Sequence, residues 1–322
     1  MRMEEFAQLV LNETTRLLAE KNMDCTATLT SVVKSNDLVK SGVCIRRKDS
    51  GMGPNLYLDK IYPRFEAGEP IADLVEELID VFLQSEHDAQ PDAEDFDMSF
   101  DKIKDSLRVR VVDTQANRKY LQTVVHLEVP GTGLAYVPEM RMDKNEGFWS
   151  AVITKAMADA NGYDHNDVMI LAVNNTVKCD PPKLMYLNSA IFNYEDKDSN
   201  LLGKDDPINA EPLVLTSEST EFGAYAMLQK PVLDYIAQKV GPFHVLPSSR
   251  HEAIIIPCSM DSDEDHLRMM VREANRSVVS PDDFLSDDIF LYSEAEGLRR
   301  CPEKILKEKM KQSFVAESRF IS

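Results

Sequence analysis

The run FHVLPSSRHEAIIIP, residues 243–257, constrains the fold of this chain more than any other stretch. Two short β-rich segments, 243–246 and 253–256, flank a polar turn over 247–252. Three consecutive isoleucines leave no side for water, and flanking prolines stop the run, so the second segment reads as a strand buried on both faces. The whole reads as a hairpin set into a core. Its turn brings Ser248, Ser249, Arg250, His251 and Glu252 together against that strand.

A buried hairpin needs other elements to cover it, and hydrophobic periodicity supplies them. Residues 3–21 carry Phe6, Leu9, Val10, Leu17 and Leu18 near one helical face. Strands are expected over 26–33, 38–46 and 56–58, joined by the turns Lys34-Ser35-Asn36-Asp37 and Gly51-Met52-Gly53-Pro54-Asn55. Pro70 opens a helix over 71–85. Residues 86–101 are acidic with no Lys or Arg, which marks a boundary. Beyond it, strands are expected over 107–112 and 134–142. Helices are expected over 147–160, ended by Asn161-Gly162, and over 164–173 with Asp164 as the N-cap. Residues 193–212 read as a surface loop, 213–216 and 222–228 as a strand pair, and 231–240 as a helix ended by Gly241-Pro242. A helix over 263–275 capped by Ser262, a helix start at Ser280-Pro281-Asp282-Asp283, a last strand over 289–292 and a basic helical tail over 296–312 complete the chain.

This order predicts an α+β fold of mixed, mostly antiparallel sheets with helices packed on one face, in two lobes. The first lobe spans 1–87 and is followed by an acidic linker over 88–101. A second α+β lobe spans 102–295, with the tail over 296–322.

A net charge of -19 across 322 residues repels a phosphate backbone, and the chain has no Lys/Arg stripe to offset it, so nucleic acid is excluded as a partner. The five cysteines, Cys25, Cys44, Cys179, Cys258 and Cys301, are scattered and odd in number, which excludes CxxC motifs and argues against a disulfide framework. The first residues, MRMEEFAQLV, are acidic where a signal peptide is basic, and no apolar run approaches the ~20 residues that span a bilayer. The expectation is a cytoplasmic protein with no membrane contact.

Chemistry is expected at the hairpin turn if anywhere. Ser248 and Ser249 lack the G-x-S-x-G elbow of α/β-hydrolases. His251-Glu252 begins like a zinc-protease helix, but Ile255 stands where the second His belongs, and strand alternation sends His251 and Glu252 to opposite faces. Asp261, Asp263 and Asp265 resemble the opening of a calcium loop, yet His266 and Arg272 occupy the positions that need Gly and Glu. His87, His126, His165 and His244 are isolated in sequence, and Gly131-Thr132-Gly133 lacks the third glycine of a dinucleotide loop. No catalytic residue, cofactor or metal ligand is assigned.

Three stretches resemble a known family: VVDTQANRKYLQTVVHLEVPG (111–131), the stretch from Phe148 to Asn174, and HVLPSSRHEAIIIP followed by MVREANRSVVSPDDFLSDDIFLYS (270–293). Together they resemble an uncharacterised bacterial family, found mainly in anaerobic Firmicutes, whose domain has no assigned function. The resemblance covers roughly residues 3–294. It implies an intracellular bacterial origin and a common fold, and it implies no activity. The chain departs from the family pattern in the acidic loop 193–212 and after Glu296. Pro247, Ser248, Ser249, His251 and Glu252 are the matching residues of the turn.

Three readings of function follow. The first is a non-catalytic binding or regulatory protein that meets a protein or small-molecule partner through Ser248, Ser249, Arg250, His251 and Glu252. The second is a hydrolase-like enzyme using His251 and Glu252. The third is a structural protein that forms a homo-oligomer through an exposed edge of the hairpin.

Overall fold

The computed structural model describes residues 1–49, 53–88, 98–143, 148–192, 200–247, 249–260 and 263–301. The turn residues Gly51 and Met52, the acidic stretch 89–97, the loop residues 193–199, Ser248, Asp261, Ser262 and the tail after Cys301 lie outside the described residues. The chain divides into two units, and neither is continuous in sequence.

The first unit comprises Met1–Asp105, Ala116–Val124 and Thr154–Tyr163. It contains helix α1 (Met3–Glu20), strands β1 (Cys25–Val33), β2 (Val39–Arg47) and β3 (Asn55–Tyr57), and helices α2 (Tyr62–Glu66), α3 (Ile71–Asp88) and α4 (Phe100–Ile103). The strands form an antiparallel meander in the order β1-β2-β3. Phe6, Val10 and Leu17 of α1 meet Leu74, Leu78 and Phe82 of α3 over Val43 and Ile45 of β2. The spacings, four and then seven along α1 and four throughout along α3, align each set on one helical face.

Two short helices return to this unit from later in the chain: α5 (Tyr120–Thr123) and α6 (Lys155–Asn161). The turn between β1 and β2 recruits the first. Asn36 and Asp37 take left-handed backbone angles, and the Asp37 carboxylate accepts hydrogen bonds from the amides of Lys119 (3.0 Å) and Tyr120 (2.8 Å). The carboxylate thereby satisfies amides that the first turn of α5 leaves without intrahelical partners. Thr154 caps α6 by accepting from Met157 N (3.1 Å), and Gly162 ends it with φ +68°.

The second unit comprises Ser106–Gln115, Val125–Ile153 and Asp164–Ser322. Its smaller sheet holds β4 (Leu107–Asp113), β5 (Leu127–Val129), β6 (Leu134–Asp143) and β7 (Phe148–Val152), with β6 pairing all three others antiparallel. Helix α7 (His165–Cys179) packs on β4, where the Thr176 hydroxyl accepts from the Val109 amide (2.9 Å). Next come β8 (Pro182–Tyr186), α8 (Leu187–Phe192), β9 (Leu213–Ser217), α9 (Lys230–Val240), β10 (Phe243–Leu246), β11 (Ala253–Pro257), α10 (Glu264–Ser277), β12 (Phe290–Ser293) and β13 (Gly297–Arg300). The larger sheet is antiparallel in the order β13-β12-β10-β11-β9-β8.

The hairpin is therefore β10-β11, in register from Phe243 opposite Pro257 to Leu246 opposite Ile254. Both its strands are interior, with β12 beyond β10 and β9 beyond β11. A central position explains the run of isoleucines, because both faces and both edges are covered. The hairpin offers no open edge for pairing with a second copy. The α+β class and the antiparallel sheets agree with the sequence reading.

Several local expectations are corrected. Residues 148–152 form a strand, and the helix begins only at Lys155, because β6 supplies a pairing edge and Thr154 supplies a cap. A short apolar run fits both periods, so pairing decided it. Gly223–Leu228 is a 3₁₀ segment, where a strand was expected. Ser280–Asp283 is a turn rather than a helix start. The cap of α10 is Asp263, whose side chain accepts from the His266 amide. Gly297–Arg300 extends the sheet instead of opening a helical tail, because Gly297 at φ +72° turns the chain back along β12. Among the described residues no helix is long and apolar enough to cross a membrane.

Candidate functional site

The polar turn is held from three directions. Ser249 makes an isolated bridge to Phe284, and the Arg250 amide donates to the Asp283 carbonyl (2.9 Å). The His251 carbonyl accepts from the Thr216 hydroxyl (2.8 Å) on β9. The Ala224 amide donates to the Arg250 carbonyl (3.2 Å), which ties the 3₁₀ segment to the turn.

Its side chains converge on Asp283. Arg250 Nη2 lies 2.8 Å and His251 Nε2 3.0 Å from Asp283 Oδ1, while the Ser280 hydroxyl donates to Oδ2 (2.7 Å). The other imidazole nitrogen, Nδ1, accepts from the Phe222 amide (3.3 Å). That bond places the ring proton on Nε2, where it is donated to Asp283. The Phe222 ring stacks against the imidazole with centroids 5.3 Å apart and carries the guanidinium groups of Arg250 and Arg110 at 4.7 and 5.1 Å. Phe222 takes a left-handed φ of 55° to do so, a strained setting for a bulky residue that the surrounding contacts must hold. Arg110 is in turn paired with the buried Glu139.

Of the turn residues singled out from sequence, Arg250 and His251 meet at one carboxylate, and Ser249 Oγ accepts the His251 amide (3.0 Å). Glu252 leads into β11, and Ser248 lies outside the described residues. The carboxylate that orients His251 comes from 32 positions away, at Asp283. In sequence, Ser280 and Asp283 read as a helix start. The same Ser-x-x-Asp spacing gives the tight turn that aims Asp283.

Burial pushes the Asp283 carboxyl upward. The hydrogen bonds from Ser280 and His251 and the charge of Arg250 outweigh it and hold the carboxyl below the usual carboxylate range. A carboxyl whose folded value is depressed stabilises the fold above its unfolded value of ~4 and loses that contribution as pH falls through the folded value. Chemical denaturation of the wild type and Asp283→Asn should therefore show a stability gap at neutral pH that closes on acidification. A pH-independent gap would mean that Asp283 acts by packing alone.

The same unit carries a second feature. An open cleft of about 570 Å³ runs between α7, β5 and the entry to α9. Met169, Ile170 and Val173 of α7 form its apolar wall with Leu127 and Leu228, and His126, His165, Asn166, Asn174, Tyr136 and Gln229 supply polar atoms. Gln229 Nε2 donates to the Tyr136 hydroxyl (3.0 Å), and burial raises that phenol well above its ordinary value, so it stays protonated. Ile170 is 59% and Leu127 51% exposed. The sequence signal was there, in two parallel stripes at i, i+4, i+8: His165, Met169, Val173 and Asn166, Ile170, Asn174. The turn and the cleft are connected. The 3₁₀ segment begins at the Phe222–His251 contact and ends at Leu228, which with Gln229 forms one wall of the cleft.

A family model described as a family of unknown function (DUF5688) matches residues 3–294. The chain belongs to that family. No curated protein and no solved structure matches it. In this DUF5688 member the turn residues Arg250 and His251 meet the segment 280–283 at Asp283.

A third cluster lies on the face of the larger sheet beneath α10. His244, Glu264 and Cys301 each offer a ligand atom, and these atoms lie within 4.8 Å of one another. Burial pushes the Cys301 thiol up to about 11 and the His244 imidazole below its usual value.

Proposed function

We propose that this DUF5688 chain is a non-catalytic binding protein whose partner is a small organic molecule held in the α7 cleft. The cleft itself carries the reading. Its volume falls in the range of small-molecule sites, ~300–1,000 Å³, and its apolar wall faced by a few polar groups is the composition such sites use. Among the described residues no Asp or Glu lines it, although the chain as a whole carries a charge of -19. A ligand with an apolar body and a carboxylate or sulfonate end avoids repulsion there and finds amide and imidazole donors.

In this reading Arg250 and His251 act as positioning residues. They fix Phe222, and through the 3₁₀ segment they fix Leu228 and Gln229. The non-catalytic assignment is supported by the occupancy of His251. Both ring nitrogens are engaged, so no lone pair faces a nucleophile in this arrangement.

The test uses anilinonaphthalene sulfonate, a small amphiphilic anion whose fluorescence rises on burial. Saturable, stoichiometric binding is expected. Ile170→Glu should weaken it at least about tenfold, since losing a buried Ile contact is worth ~1.5 kcal/mol or more. Ile170 is exposed, so the substitution spares the fold. His251→Ala should weaken the probe less while leaving secondary structure intact. Equal affinity in the wild type and Ile170→Glu would remove the cleft as the binding site.

A further inference from the structure

Beneath α10, four segments of the chain bring metal-ligating atoms to one place. His244 lies on β10, Cys258 follows β11, Glu264 opens α10 and Cys301 follows β13. Strand alternation puts His244 on the sheet face that carries Leu246 and Ile256, the face α10 covers with Leu267 and Val271. An imidazole 6% exposed and a thiol 1% exposed sit in or beside that apolar cluster. His244 Nε2 lies 3.8 Å from Glu264 Oε1, and Cys258 Sγ lies 3.8 Å from the opposite ring nitrogen, Nδ1.

We infer that His244, Glu264 and Cys301 form a binding site for zinc or a similar divalent transition metal. The donor set decides the class of ion. One imidazole, one thiolate and one carboxylate suit zinc and cobalt, whereas magnesium and calcium take oxygen ligands. Zinc bond lengths of ~2.0–2.3 Å place the ligand atoms of a tetrahedral site ~3.3–3.6 Å apart. The observed spacings, 3.8 Å for the His–Glu pair and within 4.8 Å overall, close to those values with small side-chain rotations. Glu264 is the group free to make the adjustment, being 34% exposed in its side chain.

The site is anchored for this role. The Cys301 amide donates to the Ile289 carbonyl (2.9 Å), and its carbonyl accepts from Arg268 Nη2 (3.0 Å), so the thiol is presented by fixed backbone. Cys258 fixes the imidazole plane from behind, as an outer-sphere partner of a ligating histidine does. On binding, the Cys301 thiol gives its proton to solvent, and the six-coordinate aqueous ion releases five waters as sulfur, nitrogen and oxygen bind and one water stays. Three protein ligands leave a fourth position for water.

The experiment is a titration of the full-length, reduced protein with cobalt(II), followed by displacement with zinc. The expected result is a stoichiometric complex with visible bands of tetrahedral cobalt and a near-ultraviolet thiolate-to-cobalt charge-transfer band, both bleached by zinc. Cys301→Ser should abolish the charge-transfer band, and Cys258→Ser should retain it. Glu264→Gln should keep the band and lose about tenfold or more in affinity, measured against a chromophoric chelator. Circular dichroism checks that each variant folds. If Cys301→Ser fails to fold, Glu264→Gln decides alone. Absence of cobalt bands in the wild type, a charge-transfer band lost in Cys258→Ser but kept in Cys301→Ser, or unchanged affinity in Glu264→Gln would each overturn the assignment.

Discussion

Replacing Glu139 with alanine should lower the unfolding free energy of the chain by about 3–5 kcal/mol, the largest loss expected from any single side chain discussed above. Glu139 lies on β6, opposite Arg108 of β4 and Val152 of β7, and its side chain is 1% exposed. Its partner Arg110 is itself 11% exposed in its side chain, and its guanidinium lies 5.1 Å from the Phe222 ring centre. Removing the carboxylate takes the counter-charge away from a largely buried guanidinium, and that penalty exceeds the worth of the pair. The double variant Arg110→Met/Glu139→Leu tests the cause. It removes both charges and should recover most of the loss, because apolar residues of similar volume often replace a buried pair at little cost. The measurement is the urea midpoint of wild type, single and double variants. A double variant as unstable as the sum of its singles would show that shape, not charge, governs this position.

Gly223→Ala should be nearly as damaging, at about 3 kcal/mol or more, the upper range for overpacking a close-packed site. A Cβ at Gly223 would stand 2.4 Å from the Ser217 amide nitrogen and from Thr216 Oγ1, and 2.7 Å from the His251 carbonyl oxygen. Two of these three atoms are backbone, one on β9 and one in the hairpin turn, so neither can rotate away. To admit the methyl group, β9 and the turn must separate, and the Thr216–His251 hydrogen bond is lost with them. The Phe222–His251 contact sits beside that bond, so the 3₁₀ segment loses its anchor and the cleft wall at Leu228 shifts. The expected readouts are a reduced urea midpoint and weaker binding of anilinonaphthalene sulfonate in the same variant. Lost stability with undiminished probe affinity would separate the turn from the cleft.

The sequence was informative wherever a single segment carries its own signal. The isoleucine run predicted a doubly buried strand, and 253–257 is one of the four interior strands of a six-stranded sheet. Asp164 was expected to cap a helix, and it accepts the amides of Asn166 and Asp167. Gly162, Pro231 and Gly241 bound the helices where expected. Reading failed where two structures share one local pattern. Residues 148–152 fit a helical face or a strand, and only the pairing edge of β6 selects the strand. Residues 222–228 read as a strand beside 213–216, yet with Gly223 in close approach to β9 and the turn they take a 3₁₀ path.

The site divides along the same line. Composition and pattern alone determined an antiparallel α+β chain, a hairpin buried in one of its sheets, and a polar turn that carries Arg250 and His251. They could not show that Asp283 orients His251, that His244, Glu264 and Cys301 share one face, or that α7 walls a cleft. Each of these depends on segments far apart in the chain meeting in space. Local propensity and periodicity act over a few residues, so they report which face of an element is apolar. Which faces meet is settled by strand order and helix packing, and here those alone decided where the polar groups converge.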